Sequence, residues 1–395
     1  MKFRFPILLL FVAILLSGCD GGTAVVSEST ETFDFTILQI NDVYEIAPLQ
    51  NGEFGGMARV ATLDKELNAE NPNTIGVLSG DFVSPSLIGT LKLDGVKIAG
   101  LQMVECLGAA GIDYVTFGNH EFDIKEVELQ RCMDASTFDW TTCNAFQVVD
   151  SLTHKPFEKN GEPVPKYNIH EFKDGDRTLK LGLIGVVLPF NKAEYVSYDP
   201  FITAFKETYE ELKDQCDLVI GITHLDIEDD LILAKAMPEI PLLLGGHDHH
   251  AMSERVGDVR VTKADANAKT AYVHRIQYNA ETGKINLQSE LRNLNSTVDL
   301  DPDVDKIVQR WNTLADSAMG QMGYNSHEVL TTTTEPLNGL ESAIRGGQTN
   351  LGYMIASSMK ASFPGCELAM MNSGSIRVDD ILEGELLVSD VLRTL

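Results

Sequence analysis

The stretch Phe35-Thr36-Ile37-Leu38-Gln39-Ile40 runs directly into Asn41-Asp42-Val43-Tyr44. The first six residues read as a short buried strand, and the polar residues after them open a loop. The pattern recurs along the chain. Residues 75–78 lead into Gly80-Asp81, residues 114–117 into Gly118-Asn119-His120-Glu121, and residues 218–222 into Thr223-His224. The proline-led run 241–244 leads into Gly245-Gly246-His247-Asp248-His249, and residues 179–187 read as a further strand. Helix-like segments at 57–68, 96–110 and 124–133 lie between the strands. This alternation predicts a layered α/β domain with helices covering the sheets, and ligands in such folds gather at the carboxyl ends of strands.

Beyond this region, residues 261–278 read as β, and 301–319 as a helix with Val304, Ile307, Trp311 and Leu314 on one stripe. Residues 347–361 read as a helix and 368–371 as a strand. The sequence divides into a signal at 1–19, a tether at 20–33, a catalytic domain at 34–298, a linker helix at 299–322 and a partial C-terminal domain at 323–395. A chain of 395 residues exceeds the usual ceiling for one core, which agrees with two domains.

In residues 1–19, Lys2 and Arg4 precede an apolar run at 7–16, then Leu16-Ser17-Gly18-Cys19. That order reads as a secretory signal, and its small-residue ending resembles a bacterial lipoprotein box with lipidation at Cys19. An incidental cysteine after an ordinary signal, or an uncleaved anchor, is the alternative. The expected place is the bacterial cell envelope, with the protein held to a membrane by lipid and facing the periplasm or exterior. Among the other cysteines, Cys132 and Cys143 form the one close pair in sequence, either a disulfide or two buried thiols.

The net charge of −27 disfavours a nucleic-acid polymer as partner, because its phosphates would be repelled. A small phosphorylated ligand meets the same field and needs local positive charge, which divalent cations supply. No protein partner is inferred.

Carboxylate, amide oxygen and imidazole at successive strand ends suit manganese, zinc, cobalt or iron better than magnesium or calcium. Two such ions about 3.5–4 Å apart clamp a phosphoryl group and present a hydroxide to it. Asp81 is the natural shared carboxylate. Singly, a Gly-Asp turn or a Thr-His after a strand is ordinary structure; together and in order, the five motifs resemble the metallophosphoesterase superfamily and, within it, the 5′-nucleotidase family. The resemblance covers residues 35–280 and resumes in Gln348-Thr349-Asn350-Leu351-Gly352 and Asn372-Ser373-Gly374-Ser375-Ile376-Arg377.

The resemblance implies an α/β/β/α sandwich followed by an incomplete C-terminal α/β domain. It assigns Asp42, Asp81 and His249 to one ion and Asp81, Asn119, His224 and His247 to the other. His120 matches the family's catalytic histidine, with Asp123 as its partner. Asn372, Arg377 and, more weakly, Arg345 match substrate-binding positions. The implied activity is metal-dependent hydrolysis of nucleotides or other small phosphate esters. Cyclic nucleotides, nucleotide sugars or sulfur-linked esters are alternative substrates, and an inactive ligand-binding lipoprotein is a third reading.

One residue departs from the family pattern. The first motif usually reads Asp-x-His, and here it is Asp42-Val43-Tyr44. A phenol near pKa ~10 is a poorer ligand than imidazole. Tyr44 therefore leaves a coordination place to water, ligates as phenolate to a hard ion, or simply packs and hydrogen-bonds nearby.

Overall fold

The computed structural model describes residues 32–189 and 193–394. The predicted signal, Cys19 and the tether up to residue 31 lie outside the described residues. Residues 32 and 33, assigned to the tether, belong to the first strand.

The strands of the main body are β1 (Thr32–Ile40), β2 (Thr74–Leu78), β3 (Ile112–Thr116), β4 (Asp139–Thr141), β5 (Tyr167–Asp174) and β6 (Arg177–Val187). They continue as β7 (Leu218–His224), β8 (Leu242–Gly245), β9 (Met252–Val256), β10 (Val259–Lys263), β11 (Thr270–Asn279) and β12 (Ile285–Asn293). One sheet has the order β12-β11-β1-β2-β3-β4 and the other β5-β6-β7-β8-β10-β9. The strands β1 to β4 run parallel, as do β6, β7, β8 and β10. Parallel pairing sends their carboxyl ends to one side of each sheet, where the polar motifs sit.

The two sheets pack face to face. Phe35 and Ile37 of β1, Leu181 and Leu183 of β6, Ile220 and Ile222 of β7, and Leu242 and Leu244 of β8 share one inner core. Their neighbours Leu38, Ile184, Val219 and Leu243 face the opposite way and join the larger core beneath the helices. This two-residue alternation with both faces buried explains why the strands read as continuous apolar runs.

Helices α1 (Met57–Glu70), α2 (Leu101–Ala109) and α3 (Glu126–Ala135) cover the first sheet, and α4 (Phe201–Leu212) and α5 (Ile227–Ala236) the second. Helix α6 (Pro302–Gln321) starts at Asp301, whose carboxylate accepts from the N–H groups of Asp303 and Val304 at 3.2 Å each. It buries Val304, Val308 and Trp311 against α1 and α2, with Ile307 and Leu314 partly covered beside them. The fold is the layered α/β/β/α sandwich.

After α6 come β13 (Val329–Asn338), α7 (Glu341–Gly346), α8 (Asn350–Ser362), β14 (Ile381–Leu387) and α9 (Val388–Thr394). The strands β13 and β14 pair antiparallel, and Leu337, Ile344, Leu351, Ile355, Val378 and Leu382 make a small separate core.

Three local expectations are corrected. The predicted helix 96–110 begins only at Leu101, because Val96–Lys97 pairs with Lys92–Leu93 across Asp94-Gly95. Both turn residues have positive φ, 50° and 82°, which suits a tight hairpin and interrupts any helix. The β segment 261–278 is two strands, broken where Asn267 and Ala268 take positive φ. Residues 368–371 form no strand: Leu368 and Met370 are exposed and have no ladder partner. Cys132 and Cys143 are both buried free thiols.

The inner core carries a direct stability test. Leu183→Ala, which removes a fully buried side chain between the sheets, should lower the unfolding free energy by about 2–5 kcal/mol in a urea titration.

Candidate metal centre

All the predicted ligands meet where the parallel strands of the two sheets end. Asp42, Asp81 and Asn119 follow β1, β2 and β3; His224 closes β7; His247 and His249 follow β8. The sandwich therefore brings three of the predicted ligands from each sheet to its seam.

Their backbones are held in an unusual state. Asp42, Asp81, His247 and His249 have φ of 52°, 59°, 82° and 60°. Non-glycine residues with positive φ are uncommon, and such strain persists only where surrounding contacts enforce it. Glycines allow the close approach. A Cβ on Gly118 would stand 2.1 Å from Asp81 Oδ1, and one on Gly246 would stand 2.3 Å from the Ser79 carbonyl oxygen.

Each carboxylate has one oxygen tied to the protein and the other facing the cluster. Asp81 Oδ1 accepts from the His120 N–H at 2.8 Å, while Oδ2 lies 3.2 Å from His224 Nε2 and 3.2 Å from the Tyr44 hydroxyl. Asp42 Oδ2 accepts from the His247 N–H and from Asn41 Nδ2, both at 2.8 Å. Its Oδ1 lies 3.5 Å from His249 Nε2 and 3.9 Å from His224 Nε2.

The imidazoles are oriented from behind. His224 Nδ1 donates to the Ser79 carbonyl at 2.7 Å, which leaves Nε2 facing Asp81 and, at 3.2 Å, Asn119 Oδ1. His247 Nε2 pairs with Asp226 at 3.2 Å, and its Nδ1 lies 3.1 Å from Asn119 Oδ1. Backing of a histidine by a carbonyl or carboxylate is typical of metal ligands.

Ligand atoms of Asp81, His224 and His247 all lie within 4.8 Å of one another. Within the cluster, burial opposes the charge on Asp42 and Asp81, but the neighbouring histidines outweigh it and hold both carboxyls below the usual range. Burial likewise opposes charge on His224, yet Asp81 and Asp42 raise it to about 9. Converging carboxylates, an amide oxygen and backed imidazoles fit the binding of divalent metal ions.

Tyr44 directs its hydroxyl into this space, 2.9 Å from His249 Nε2 and 3.5 Å from Asp42 Oδ1. Burial, and then the charges of Asp81 and Asp42, push its pKa well above the ordinary value. The hydroxyl thus hydrogen-bonds among Asp42, Asp81 and His249. His120 stands at the rim, with Nε2 4.0 Å from Asp81 Oδ2 and Nδ1 2.5 Å from Asp123 Oδ2. Burial disfavours its charge, but Asp81 and Asp123 prevail and raise its pKa, with Arg377 opposing.

The C-terminal candidates are placed differently. Arg377 Nη2 is 3.8 Å from Asp123 Oδ2, so it reaches the partner of His120, and it lines a pocket with Tyr44, Ser86 and Arg393. Asn372 heads the turn Ser373–Ser375 leading to Arg377. Arg345 donates to Glu341 at 2.9 and 2.6 Å and lies beside Gly374 in that turn.

Several supporting residues escaped sequence reasoning. Glu121 was visible in its motif but had no role; it is fully buried and accepts from the N–H groups of Asp81, Phe82, Val83 and Gly118 at 2.5–3.2 Å. Lys263, at the end of β10, carried no signal. Its ammonium is fully buried between Asp230 at 2.8 Å and Asp248 at 2.5 Å and donates to the Leu225 carbonyl at 2.6 Å. It thereby ties the loop after β7 to the loop carrying His247 and His249.

Removing the cation would strand the buried Asp230 carboxylate and leave the partly buried Asp248 without its partner. Lys263→Met should lower stability by about 3–5 kcal/mol, read by denaturant unfolding.

Comparison with known proteins identifies the family and the fold. The calcineurin-like phosphoesterase family pattern matches residues 35–251. A 5′-nucleotidase of Vibrio cholerae is 26% identical, the match covering 96% of this chain and 74% of that protein. The trifunctional nucleotide phosphoesterase protein YfkN of Bacillus subtilis is 24% identical, over 92% of this chain but only 26% of its own length. Among solved structures, a 5′-nucleotidase precursor of Thermus thermophilus superposes with a TM-score of 0.74 at 19% identity, covering 92% of this chain and 74% of that one. The chain belongs to the calcineurin-like phosphoesterase family of metal-dependent phosphoester hydrolases.

Proposed function

We propose that this chain hydrolyses nucleotides and related phosphate monoesters at two divalent cations, outside the cytoplasm. The observation that carries the reading is the position of Asp81 Oδ2, turned away from its backbone anchor toward His224 and Tyr44 and flanked by two sets of ligands. Asp42, Asp81 and His249 hold one cation; Asp81, Asn119, His224 and His247 hold the other. The chemistry that bound cations supply is polarisation of the phosphoryl group and activation of water at neutral pH. Asp123 holds the Nδ1 side of His120, which turns Nε2 outward as the proton donor for a departing ester oxygen.

The word nucleotide rests on the relatives' names and on the region after α6. Residues 323–395 serve as a recognition domain beside the catalytic domain at 34–298, with Arg377, Asn372 and, more weakly, Arg345 as its substrate-binding residues. The extracytoplasmic place rests on the pattern of residues 1–19, with lipid on Cys19.

Purified protein supplied with manganese, zinc or cobalt should release phosphate from nucleoside monophosphates and aryl phosphates, and chelation should stop it. His120→Ala should lower turnover by about 10²–10⁴-fold with both ions retained. Asp81→Asn should lose the ions themselves. Equal metal loss in both variants would overturn this division of roles, and no metal-dependent phosphate release would overturn the activity.

Tyr44 tests the first cation place separately. Tyr44→His replaces a neutral phenol by an imidazole aimed at the same ligands, so it should tighten that ion in a chelator competition. Unchanged affinity would show that the side chain at position 44 does not reach the ion.

A further inference from the structure

His249 is gripped from outside the sandwich. Its Nδ1 lies 2.5 Å from Glu341 Oε2 and 3.2 Å from Asp379 Oδ2. Both carboxylates come from the region after α6: Glu341 is the first residue of α7, and Asp379 follows the Arg377 segment. Both repeat the arrangement of Asp42 and Asp81. Glu341 Oε1 is tied to the Arg345 guanidinium, which leaves Oε2 for the imidazole. Asp379 Oδ1 accepts from the Glu341 N–H at 2.8 Å, which leaves Oδ2 for the imidazole.

We infer that Glu341 and Asp379 are positioning residues for His249: they keep a proton on Nδ1 and aim Nε2 at the cation place beside Asp42, so this one ion depends on the docked C-terminal region. The inference rests on the metal-site reading above. An imidazole whose Nδ1 meets only carboxylate oxygens carries a proton there, and its Nε2 is then the nitrogen turned toward Asp42 and the Tyr44 hydroxyl, where a cation would take its lone pair. His224 and His247 receive the same service from within the sandwich, from the Ser79 carbonyl and from Asp226. His249 alone of the three takes it from the C-terminal region.

The ligand atoms of His249, Glu341 and Asp379 also lie close enough together to hold a cation of their own. The surroundings argue against that use. Arg345 already neutralises Glu341, and Lys269 Nζ donates to the Asp379 carbonyl at 2.9 Å. Two positive groups stand where an additional cation would be repelled. Contacts that hold the C-terminal region in place include Gln50 Nε2 donating to Asp380 Oδ1 at 2.9 Å and Arg377 against Asp123.

The test is a cobalt titration of the full chain, following visible absorption and chelator competition, with total bound metal counted by elemental analysis. In the combined variant Glu341→Gln with Asp379→Asn, affinity for one of the two ions should fall by about 10–100-fold while the other is unchanged. Asp379→Asn alone keeps an acceptor for the Glu341 N–H and should show a smaller loss at the same ion, so the measurement survives if the double variant folds poorly. The deciding step repeats both substitutions in a His249→Ala background. There they should add no further loss, because carboxylates that act through His249 have nothing left to position.

A further loss in that background would mean that they act by charge alone and would overturn the inference. Wild-type affinity at both ions, equal loss at both, or a third bound ion would do the same. An unmodified chain that takes up no pair of ions would instead remove the metal-site reading, and this inference with it.

Discussion

The Glu121 carboxylate gathers four backbone N–H groups, those of Asp81, Phe82, Val83 and Gly118. Much of the site depends on this contact. It joins the loop after β2 to the loop after β3 and so sets Asp81 against Asn119 and His120. Burial and the nearby charge of Asp81 raise its carboxyl to about 7, and the N–H donors pull the other way. A buried carboxylate without such donors would be costly, so the loops and Glu121 hold one another in place.

That mutual support makes the strained backbone tolerable. Asp42, Asp81, His247 and His249 all sit at positive φ, where each non-glycine residue costs on the order of 1–3 kcal/mol. Strain of this size persists when neighbouring contacts overdetermine it. Glu121 does this for the first sheet. On the second sheet Lys263 does it through Asp230 and Asp248, and Thr223 adds a 2.6 Å bond to Asp230. The two halves meet where His224 packs against Ser79 and Gly246 closes on the same carbonyl.

The region after α6 touches the centre at two points. Arg377 reaches Asp123 behind His120, and Glu341 with Asp379 reaches His249. The cluster is thus bounded by the sandwich on one side and by the C-terminal region on the other. Tyr44 lies between them, its hydroxyl among Asp42, Asp81 and His249 and its ring lining the pocket shared with Arg377.

The sequence by itself determined the sandwich and the identity of the converging residues. Runs such as 35–40 and 218–222 are buried on both faces and so stay apolar throughout, and the motifs that follow them are short-range in the chain. Misreadings arose where turn chemistry overrode periodicity, as at Asp94-Gly95, or where an apolar run found no ladder, as at 368–371. Tertiary structure alone decided what stands behind each predicted ligand. Ser79 and His224 are 145 residues apart, His249 and Asp379 are 130 apart, and Lys263 reaches Leu225 across 38. A ligand's type is written locally, but the hydrogen bond that aims it comes from whichever strand or loop packing brings alongside, and no local pattern records that neighbour.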